Sequence, residues 1–387
     1  MKLAFDGGLL LRKEKAGIAW SAHNLILELL KYPQNECTIR CFRSRGKSLL
    51  EEYEKAGCRI EYCRWMSSFL SKLLWTVFPV PYRLYFKSDA DIVQFFNFTI
   101  PPGVKGKRAV FIHDMAYKSC PGTVRKKTRL WLEFQMKQTC RRADCILTVS
   151  EFSRQEIIRY LSVPKSRVFV VPNAVDHTAY HTRYSDCQIQ KALRRYGIAR
   201  EYFLYLGTIE PRKNLERLIG AYAKLCRRRK QVPMLVLAGK KGWLCEPIYR
   251  CVIRYGLEQK VLFTGYVRQE DSPLLMCGAK AFVFPSLYEG FGMPPLEAMA
   301  CGTPVITSNT TALAEVAGNA CATVDPLRMD EIGRAMEKIL DDGGYRETLR
   351  KAGIQRASEY TWAKSAAILM DVYQKCRMKK VKQVCRK

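Results

Sequence analysis

The sequence predicts an α/β fold of two Rossmann-like, doubly wound domains that face each other across a cleft. Short, continuous apolar runs recur along the chain, and each ends in a glycine-bearing or polar loop. Helical patterns follow most of these runs, and this alternation is typical of strands buried on both faces of a parallel sheet. The length of 387 residues agrees with this prediction, because the chain is too long for a single hydrophobic core of ordinary size and suits two domains of roughly 150–200 residues.

The first predicted domain covers residues 1–175 and contains apolar runs at 2–5, 91–96, 109–112, 144–149 and 167–171. Helical patterns over 18–30, 128–140 and 153–160 separate most of these runs. Ligands of open parallel sheets bind beyond the carboxyl ends of the strands. The strand-end residues Asp6 and His113 are therefore predicted to lie at the edge of the cleft.

The second predicted domain covers residues 190–361, after a polar linker at 177–186. Its apolar runs lie at 202–206, 234–238, 261–264, 281–284 and 303–307, and each ends in glycine, serine or a turn. Residues 362–387 are predicted to form a helix that packs back toward the N-terminal domain, followed by a basic tail.

The composition describes a folded and strongly basic protein. Hydrophobic residues make up 48% and charged residues 26%, and 65 basic against 36 acidic residues give a net charge of +29. Such an excess of positive charge favours the binding of anionic partners, which could be nucleic acid, an anionic membrane surface or phosphate-bearing substrates. No RNA-binding or zinc motif accompanies the charge, so a nucleic-acid binder is only a remote alternative and no nucleic-acid partner is predicted.

Cysteine spacing predicts reduced thiols in a cytosolic protein and no metal site. The 16 cysteines include no C-x2-C pair and no zinc-like spacing with histidine. Asp89 and Asp91 form a D-x-D that precedes a strand, which favours a structural role over metal binding. We expect no secretory signal at the N-terminus and no membrane-spanning helix, since no long uncharged apolar window occurs.

The most informative motif lies at 284–307 and reads FPSLYEGFGMPPLEAMACGTPVIT. It places Glu289 on a loop and Glu297 inside a helix that Pro294 can begin, because proline suits the first helical turn. The free N–H groups of that turn would favour a phosphate. Two solvated acids beside an ordinary turn are the alternative. The surroundings favour two carboxylates that hold different hydroxyl-bearing parts of one ligand.

A second motif, GTIEPRKNL at 207–215, follows a strand and opens a helix. Arg212 and Lys213 would lie at the helix start, where cations oppose the helix dipole. A bound diphosphate would explain that arrangement through charge-assisted hydrogen bonds, and a solvated basic turn is the alternative. His113 ends a strand at the predicted cleft edge, which favours an active-site role over a structural one.

The stretch at 65–86 is rich in aromatic residues and leucine, with scattered basic residues. It is consistent with a core helix and equally with an amphipathic surface that docks on a membrane interface. The sequence leaves both interpretations open.

These motifs resemble glycosyltransferase family 4, a group of retaining enzymes with the GT-B fold. The resemblance rests on PSLYEGFGMPPLEAMACGTPVITS, GTIEPRKNLERLI, VSEFSRQEI and VPNAVD, and it covers nearly the whole chain. It implies transfer of a sugar from a nucleotide-diphosphate donor, without an obligatory metal or other cofactor, to an acceptor held by the first domain.

The resemblance also implies roles for individual residues. Glu289 would lie near the transferred sugar, and Glu297 would bind the ribose hydroxyls of the donor. Lys213, together with Arg212, would neutralise the diphosphate. The other implied contacts are His113 with the donor sugar, the glycine loop around Gly17 with the phosphates, and the turn of Gly290, Phe291 and Gly292 with sugar hydroxyls.

Members with closely similar motifs use mannose or related sugars on lipid-linked oligosaccharides. The resemblance therefore implies a hexosyltransferase of cell-surface polysaccharide biosynthesis, with GDP-mannose as the favoured donor and a glycan or lipid-linked acceptor. We expect it in the cytoplasm, peripheral on the inner face of an anionic membrane. A nucleotide-sugar epimerase or a phosphorylase with the same fold is the alternative.

Overall fold

The computed structural model describes residues 1–11, 17–43, 46–67, 70–71, 75 and 80–378. The chain divides into two compact units. The first consists of Met1–Met115, Lys127–Asn173 and the segment that begins at Trp362, and the second consists of Ala116–Lys126 and Ala174–Thr361. The short segment Ala116–Lys126 thus lies with the second unit, although it falls inside the predicted first domain.

A parallel sheet forms the centre of the first unit. Its strands, within the described residues, are β1 (Lys2–Asp6), β2 (Glu36–Arg43), β3 (Arg59–Ser67), β4 (Ile92–Phe95), β5 (Lys107–Phe111), β6 (Cys145–Thr148) and β7 (Val168–Val170). They are ordered β3-β2-β1-β4-β5-β6-β7, and every pair is parallel. The order reverses between β1 and β4, and the carboxyl ends of strands at such a switch point are where ligands of these sheets bind.

The helices of the first unit connect these strands and complete its core. Numbered in chain order, they are α1 (Gly17–Leu30), α2 (Glu51–Lys55), α4 (Lys126–Arg142), α5 (Glu151–Leu161) and α14 (Trp362–Met378). Helix α14 packs on α1, and its buried Tyr373 donates a hydrogen bond of 2.9 Å to Gln94 Oε1 in β4. The last helix of the chain is therefore part of the first unit.

The second unit repeats this architecture. Its strands are β8 (Tyr202–Leu206), β9 (Met234–Ala238), β10 (Val261–Gly265), β11 (Ala281–Phe284), β12 (Val305–Ser308) and β13 (Ala322–Val324), in the parallel order β10-β9-β8-β11-β12-β13. The switch point of this sheet lies between β8 and β11. The helices are α3 (Ala116–Ser119), α6 (Asp186–Arg195), α7 (Leu215–Arg228), α8 (Glu246–Arg254), α9 (Ser272–Cys277), α10 (Met293–Ala300), α11 (Thr311–Ala317), α12 (Met329–Asp341) and α13 (Gly343–Ser358).

Strands β2, β3 and β13 were not predicted from the sequence. Strand β2 reads ECTIRCFR, and its charges break the apolar run that served as the signal. Arg40 in β2 is nevertheless buried, because its Nε lies 3.3 Å from Glu61 Oε2 in β3 and its guanidinium also donates to Ser88. The pairing of two charges across neighbouring strands thus replaces an apolar contact near the edge of the sheet.

The aromatic stretch at 65–86 does not form one helix. Trp65 belongs to strand β3, and its ring stacks on that of Tyr85 with centroids 5.1 Å apart. Tyr82, Tyr85 and Phe86 are buried, with a single 3-10 turn at Tyr82–Leu84. Of the two interpretations left open by the sequence, the one that makes this stretch a core helix is therefore wrong, since strand residues begin the stretch and a turn ends it. Residues 68–69, 72–74 and 76–79 of this stretch lie outside the described part of the chain.

Across the residues that the structure describes, no helix combines the length and the apolar composition needed to cross a bilayer.

Candidate functional site

The candidate site of the second unit lies at the switch point of its sheet, after the carboxyl ends of β8 and β11. The loop after β8 leads to a 3-10 turn, Pro211–Lys213, and then to α7. The loop after β11 leads through residues 285–292 to α10. The hydrogen bond from Leu287 N to Arg212 O, 2.9 Å long, holds the two loops together. Two loops far apart in sequence therefore form one site.

Arg212, Lys213 and Glu289 form a largely buried charge cluster between these loops, with side chains 18%, 10% and 12% exposed. Lys213 Nζ donates to Glu289 Oε1, and Arg212 Nη1 lies 2.9 Å from Glu289 Oε2. Arg212 also donates to Glu210 Oε1 at 2.7 Å and to the carbonyl oxygen of Tyr288 at 2.8 Å. Two cations and two carboxylates thus neutralise one another, and each side chain is fixed by at least one partner.

The electrostatics of this cluster keep Glu289 ionised. Burial by itself would raise the pKa of the Glu289 carboxyl, but Arg212 and Lys213 outweigh that effect and lower the pKa to about 2. Lys213 Nζ also lies 4.7 Å above the centre of the Phe284 ring, a favourable cation–π contact. Burial lowers the pKa of the Lys213 ammonium group, and the neighbouring Glu289 carboxylate opposes that shift. The site therefore holds its side chains in fixed positions, with Glu289 ionised at neutral pH.

Asn214 fixes the backbone that carries the two cations. It adopts a left-handed conformation with φ of 61° between the 3-10 turn and α7. Its side-chain amide is buried and donates to Pro285 O at 2.9 Å and to Pro326 O at 2.6 Å. Arg212 and Lys213 thus lie in the turn before α7 and not in its first turn, because Asn214 breaks the helical geometry between them.

The turn before α10 presents backbone N–H groups. Gly292 has φ of 114°, in the region that only glycine adopts readily, and a Cβ there would lie 2.7 Å from Leu313 Cδ2. The N–H groups of Phe291 and Gly292 make no hydrogen bond within the described residues. These donors at the start of a helix suit oxygen atoms of a ligand. Gly290 lies in the same turn.

Glu297 lies one helical turn into α10 and is separate from the charge cluster. Its side chain is half-buried, and no described residue forms a hydrogen bond or an ion pair with its carboxylate. Burial, with a smaller contribution from Asp176, raises the pKa of Glu297 to about 7. A carboxyl group without a protein partner in this position is a natural acceptor for ligand hydroxyl groups.

His113 and Gly17 belong to the first unit. His113 is buried, and its Nε2 lies 2.8 Å from the carbonyl oxygen of Phe96. Because a carbonyl only accepts, Nε2 carries the proton, and Nδ1 is left as an acceptor. Burial lowers the pKa of His113, so the ring is neutral at pH 7. Gly17 is the exposed first residue of α1, and the ligand contacts of both residues stay predictions.

The sequence analysis missed two residues of this site, Glu210 and Asn214. Glu210 is 2% exposed and carries no apolar signal, but it directly precedes the Pro-Arg-Lys turn. The closeness of Glu210 to Arg212 and Lys213 in the sequence was the signal that an acid could neutralise part of the positive charge of this turn. Asn214 left no comparable signal, because its role depends on carbonyl groups of distant loops.

The chemistry of this arrangement is anion and hydroxyl binding. It combines two cations, helix-start N–H groups and an unpartnered carboxyl at the carboxyl ends of parallel strands. Within the described ranges, no group of three or more His, Cys, Asp or Glu side chains has the arrangement of a metal site.

Solved structures with the same fold are glycosyltransferases and related enzymes. A sucrose-phosphate synthase from Thermosynechococcus elongatus matches with a TM-score of 0.75 and 20% identity, over 97% of this chain and 98% of that chain. WaaG, a glycosyltransferase involved in lipopolysaccharide biosynthesis, matches with a TM-score of 0.70 and 15% identity, over 96% and 99% of the two chains. The fold is therefore that of the GT-B glycosyltransferases, as the sequence predicted.

Sequence comparison defines the class further. The family model for "Glycosyltransferase Family 4" matches residues 16–179, and that for "Glycosyl transferases group 1" matches residues 190–356. The O-antigen chain mannosyltransferase B of Escherichia coli is 35% identical over 278 residues, which is 72% of each protein. The chain is thus a nucleotide-sugar-dependent glycosyltransferase. It belongs to glycosyltransferase family 4, which confirms the resemblance found in its motifs.

Proposed function

We propose that the protein transfers mannose from GDP-mannose to the end of a glycan during the synthesis of a cell-surface polysaccharide. The charge cluster of Arg212, Lys213 and Glu289 is the observation that carries the proposal. A related O-antigen mannosyltransferase from Escherichia coli supports the choice of sugar and of acceptor class. That relative acts by transfer, which favours a transferase over an epimerase or a phosphorylase.

The donor site follows from the positions of these groups. Lys213 and Arg212 bind the diphosphate, and the free N–H groups of Phe291 and Gly292 hold hydroxyl groups of the sugar. The carboxylate of Glu297 accepts hydrogen bonds from the ribose hydroxyls. From the family resemblance alone, we also propose that His113 and Gly17 contribute to donor binding.

Catalysis in this proposal is electrostatic. As the bond from the anomeric carbon to the diphosphate breaks, negative charge grows on the leaving group, and two fixed cations stabilise it without reorganisation. The new bond forms between the acceptor oxygen and the anomeric carbon on the same face, with retention of configuration. The acceptor proton passes to the leaving phosphate oxygen, so atoms and charges balance.

The membrane-associated location is also part of the proposal. Helix α4 exposes three large apolar side chains, Leu130, Trp131 and Phe134, within one helical turn. The same helix carries the basic residues Lys126, Lys127, Arg129, Lys137 and Arg141. Apolar side chains on a helix that also carries cations suit the interface of an anionic bilayer. The apolar groups enter the acyl-chain boundary, and the cations pair with the anionic headgroups. This helix is a stronger docking candidate than the stretch at 65–86, whose described aromatic residues near its end are buried.

The variant Glu289→Gln tests the donor chemistry. Because the carboxylate fixes both cations and faces the reacting centre, kcat with GDP-mannose should fall about 10²-fold, the usual effect of removing one preorganised electrostatic group. GDP affinity should not weaken, since the two cations are released from a competing anion.

The control is Glu258→Gln, which changes an exposed glutamate of the same unit. Radiolabelled GDP-mannose, GDP-glucose, UDP-glucose and UDP-N-acetylglucosamine are offered to both variants with a mannoside acceptor. Transfer from a UDP-sugar in preference to GDP-mannose would contradict the proposed donor, and full activity of the Glu289 variant would contradict the proposed mechanism.

A further inference from the structure

Two cysteine side chains meet between neighbouring helices of the second unit. Cys277 is the last residue of α9, which precedes β11, and Cys301 directly follows α10, which precedes β12. Strands β11 and β12 are parallel neighbours, so the helices before them end at the same edge of the sheet, and α9 packs on α10. The fold thus brings together two cysteines that are 24 positions apart in the sequence.

The sulfur atom of Cys277 is surrounded by polar groups. Its Sγ lies 3.3 Å from the carbonyl oxygen of His181 and 3.7 Å from that of Cys301. The Cys301 thiol in turn donates a hydrogen bond to the Cys277 sulfur. Both cysteines are free thiols in this structure. A thiol–thiol hydrogen bond brings the two sulfur atoms into contact, and this is the starting geometry for a disulfide bond.

The two thiols differ in exposure and in acidity. Cys277 is half-buried, whereas Cys301 is buried. The hydrogen bond from Cys301 lowers the pKa of the Cys277 thiol. The same hydrogen bond, together with burial, raises the pKa of the Cys301 thiol. Because the thiolate is the nucleophile in thiol chemistry, Cys277 is the attacking group and Cys301 the resolving group.

A second close pair of cysteines, in the first unit, lacks these properties. Cys58 Sγ lies 3.4 Å from the carbonyl oxygen of Cys37, so these residues also contact each other. Both are buried, and burial raises the pKa of the Cys37 thiol to about 11 and that of the Cys58 thiol to about 12. Closeness alone therefore does not make a reactive pair, and Cys37 with Cys58 provides an internal control.

We propose that Cys277 and Cys301 form a reversible disulfide bond by exchange with a small disulfide, of which glutathione disulfide is the probe. The Cys277 thiolate attacks one sulfur atom of the oxidant, which releases one thiolate and leaves a mixed disulfide on Cys277. The Cys301 sulfur then attacks the Cys277 sulfur, and the second thiolate of the oxidant leaves. The two departing thiolates take up the protons that the two cysteines lose.

This exchange oxidises two protein thiols to one disulfide and reduces one small disulfide to two thiols, so atoms and electrons balance. The new bond joins the ends of α9 and α10. The proposal goes beyond the proposed sugar transfer and does not depend on it.

The test treats the folded, full-length protein with glutathione disulfide, blocks the remaining thiols with iodoacetamide and maps the cysteines by peptide mass spectrometry. We expect the peptides of Cys277 and Cys301 to be linked with the loss of two hydrogen atoms, and dithiothreitol to reverse the link. The exposed Cys187 should carry only a glutathione adduct. Cys37 and Cys58 should stay reduced.

Two variants separate the attacking thiol from the resolving one. Cys301→Ala should trap glutathione on Cys277, because the resolving thiol is missing. Cys277→Ala should leave Cys301 unmodified, because a buried thiol with a raised pKa is a poor nucleophile. Glutathione on Cys301 of the Cys277→Ala variant would reverse the two roles and overturn the proposed order of attack.

Thermal unfolding gives a second measurement. A disulfide bond restricts the unfolded chain, so oxidation should raise the unfolding midpoint of the unmodified protein by several degrees and leave that of Cys277→Ala unchanged. An equal rise in the variant would assign the effect to other thiols. The proposal would also be overturned if Cys277 and Cys301 stayed reduced, if Cys277 of the unmodified protein kept a stable glutathione adduct, or if Cys37 and Cys58 were linked to the same extent.

Discussion

Lys213 and Glu289 form a largely buried ion pair between residues 76 positions apart in the sequence. The second carboxylate oxygen of Glu289 lies 2.9 Å from Arg212 Nη1, so one acid holds both cations. The pair explains how two adjacent positive charges are tolerated in the folded protein without a ligand. A diphosphate must share these cations with Glu289, which makes the pair the centre of the proposed donor site.

The variant Lys213→Met should weaken GDP binding at least about 10-fold, because the diphosphate loses a charge-assisted hydrogen bond. Binding of GMP, which lacks the second phosphate, should change much less. Isothermal titration with both nucleotides measures the ratio, and Lys230→Met at an exposed site is the control. Equal losses for GDP and GMP would place Lys213 away from the diphosphate.

Glu297 should make the protein less stable as the pH rises. Its folded pKa of about 7 is above the ordinary value of 4.5, so the folded state holds a proton that the unfolded chain releases. The contribution to the free energy of unfolding therefore falls between pH 4.5 and 7. From pH 5.5 to 8 the loss is up to about 2 kcal/mol.

Thermal unfolding of Glu297→Gln against the unmodified protein at these two pH values checks this sign. The variant should lose less stability on going to pH 8, while its affinity for GDP is lower than that of the unmodified protein at pH 8. Parallel melting curves at both pH values would show that Glu297 has an ordinary pKa.

Asn214 should stabilise the folded protein in two separable ways, through its side-chain hydrogen bonds and through its left-handed backbone conformation. Asn214→Ala removes the bonds to two buried carbonyl groups and puts alanine at a φ of 61°, which should cost about 2–4 kcal/mol of unfolding free energy. Asn214→Gly loses the same bonds but tolerates the backbone, so it should be about 1 kcal/mol more stable than the alanine variant. Urea unfolding of both variants gives the difference, and the reverse order would refute the backbone contribution.

The exposed apolar side chains of α4 should hold the protein on anionic vesicles. Leu130 is 61% exposed and Phe134 57% exposed, and replacing both with serine should lower the bound fraction about threefold or more. Flotation with phosphatidylglycerol and with phosphatidylcholine vesicles measures binding. Ile253→Ser, at a residue 67% exposed in the second unit, is the matched control. Unchanged flotation of the double variant would remove α4 from the interface.

The sequence predicted the buried strands well and the polar ones poorly. The runs that became β4, β6 and β11 are mainly apolar, with Gln94 and Thr148 as their polar residues, because both faces of these strands are covered. Strand β2 escaped prediction because Arg40 is neutralised by Glu61 of the neighbouring strand, and pairing between distant residues leaves no periodic signal.

The same limit applies to the candidate site. The motifs identified Glu289, Arg212 and Lys213 one by one, because each follows a strand in a motif of fixed spacing. Three further features depend on contacts between loops and could be found only in the structure. These residues neutralise one another, Glu210 pairs with Arg212, and the Asn214 side chain hydrogen-bonds to carbonyl groups of two other loops. Ligand contacts of Gly17, His113, Glu297 and the turn at Gly290–Gly292 stay predictions.

The path of the chain has a consequence for how the protein is made. Helix α14 supplies buried residues to the first unit, among them Leu369, Met370 and Tyr373. The ribosome synthesises this helix after the whole second unit, so the first unit to emerge is the last to be completed. A nascent or truncated chain that ends before Trp362 leaves an apolar surface of the first unit uncovered, which makes it a client for chaperones and proteases.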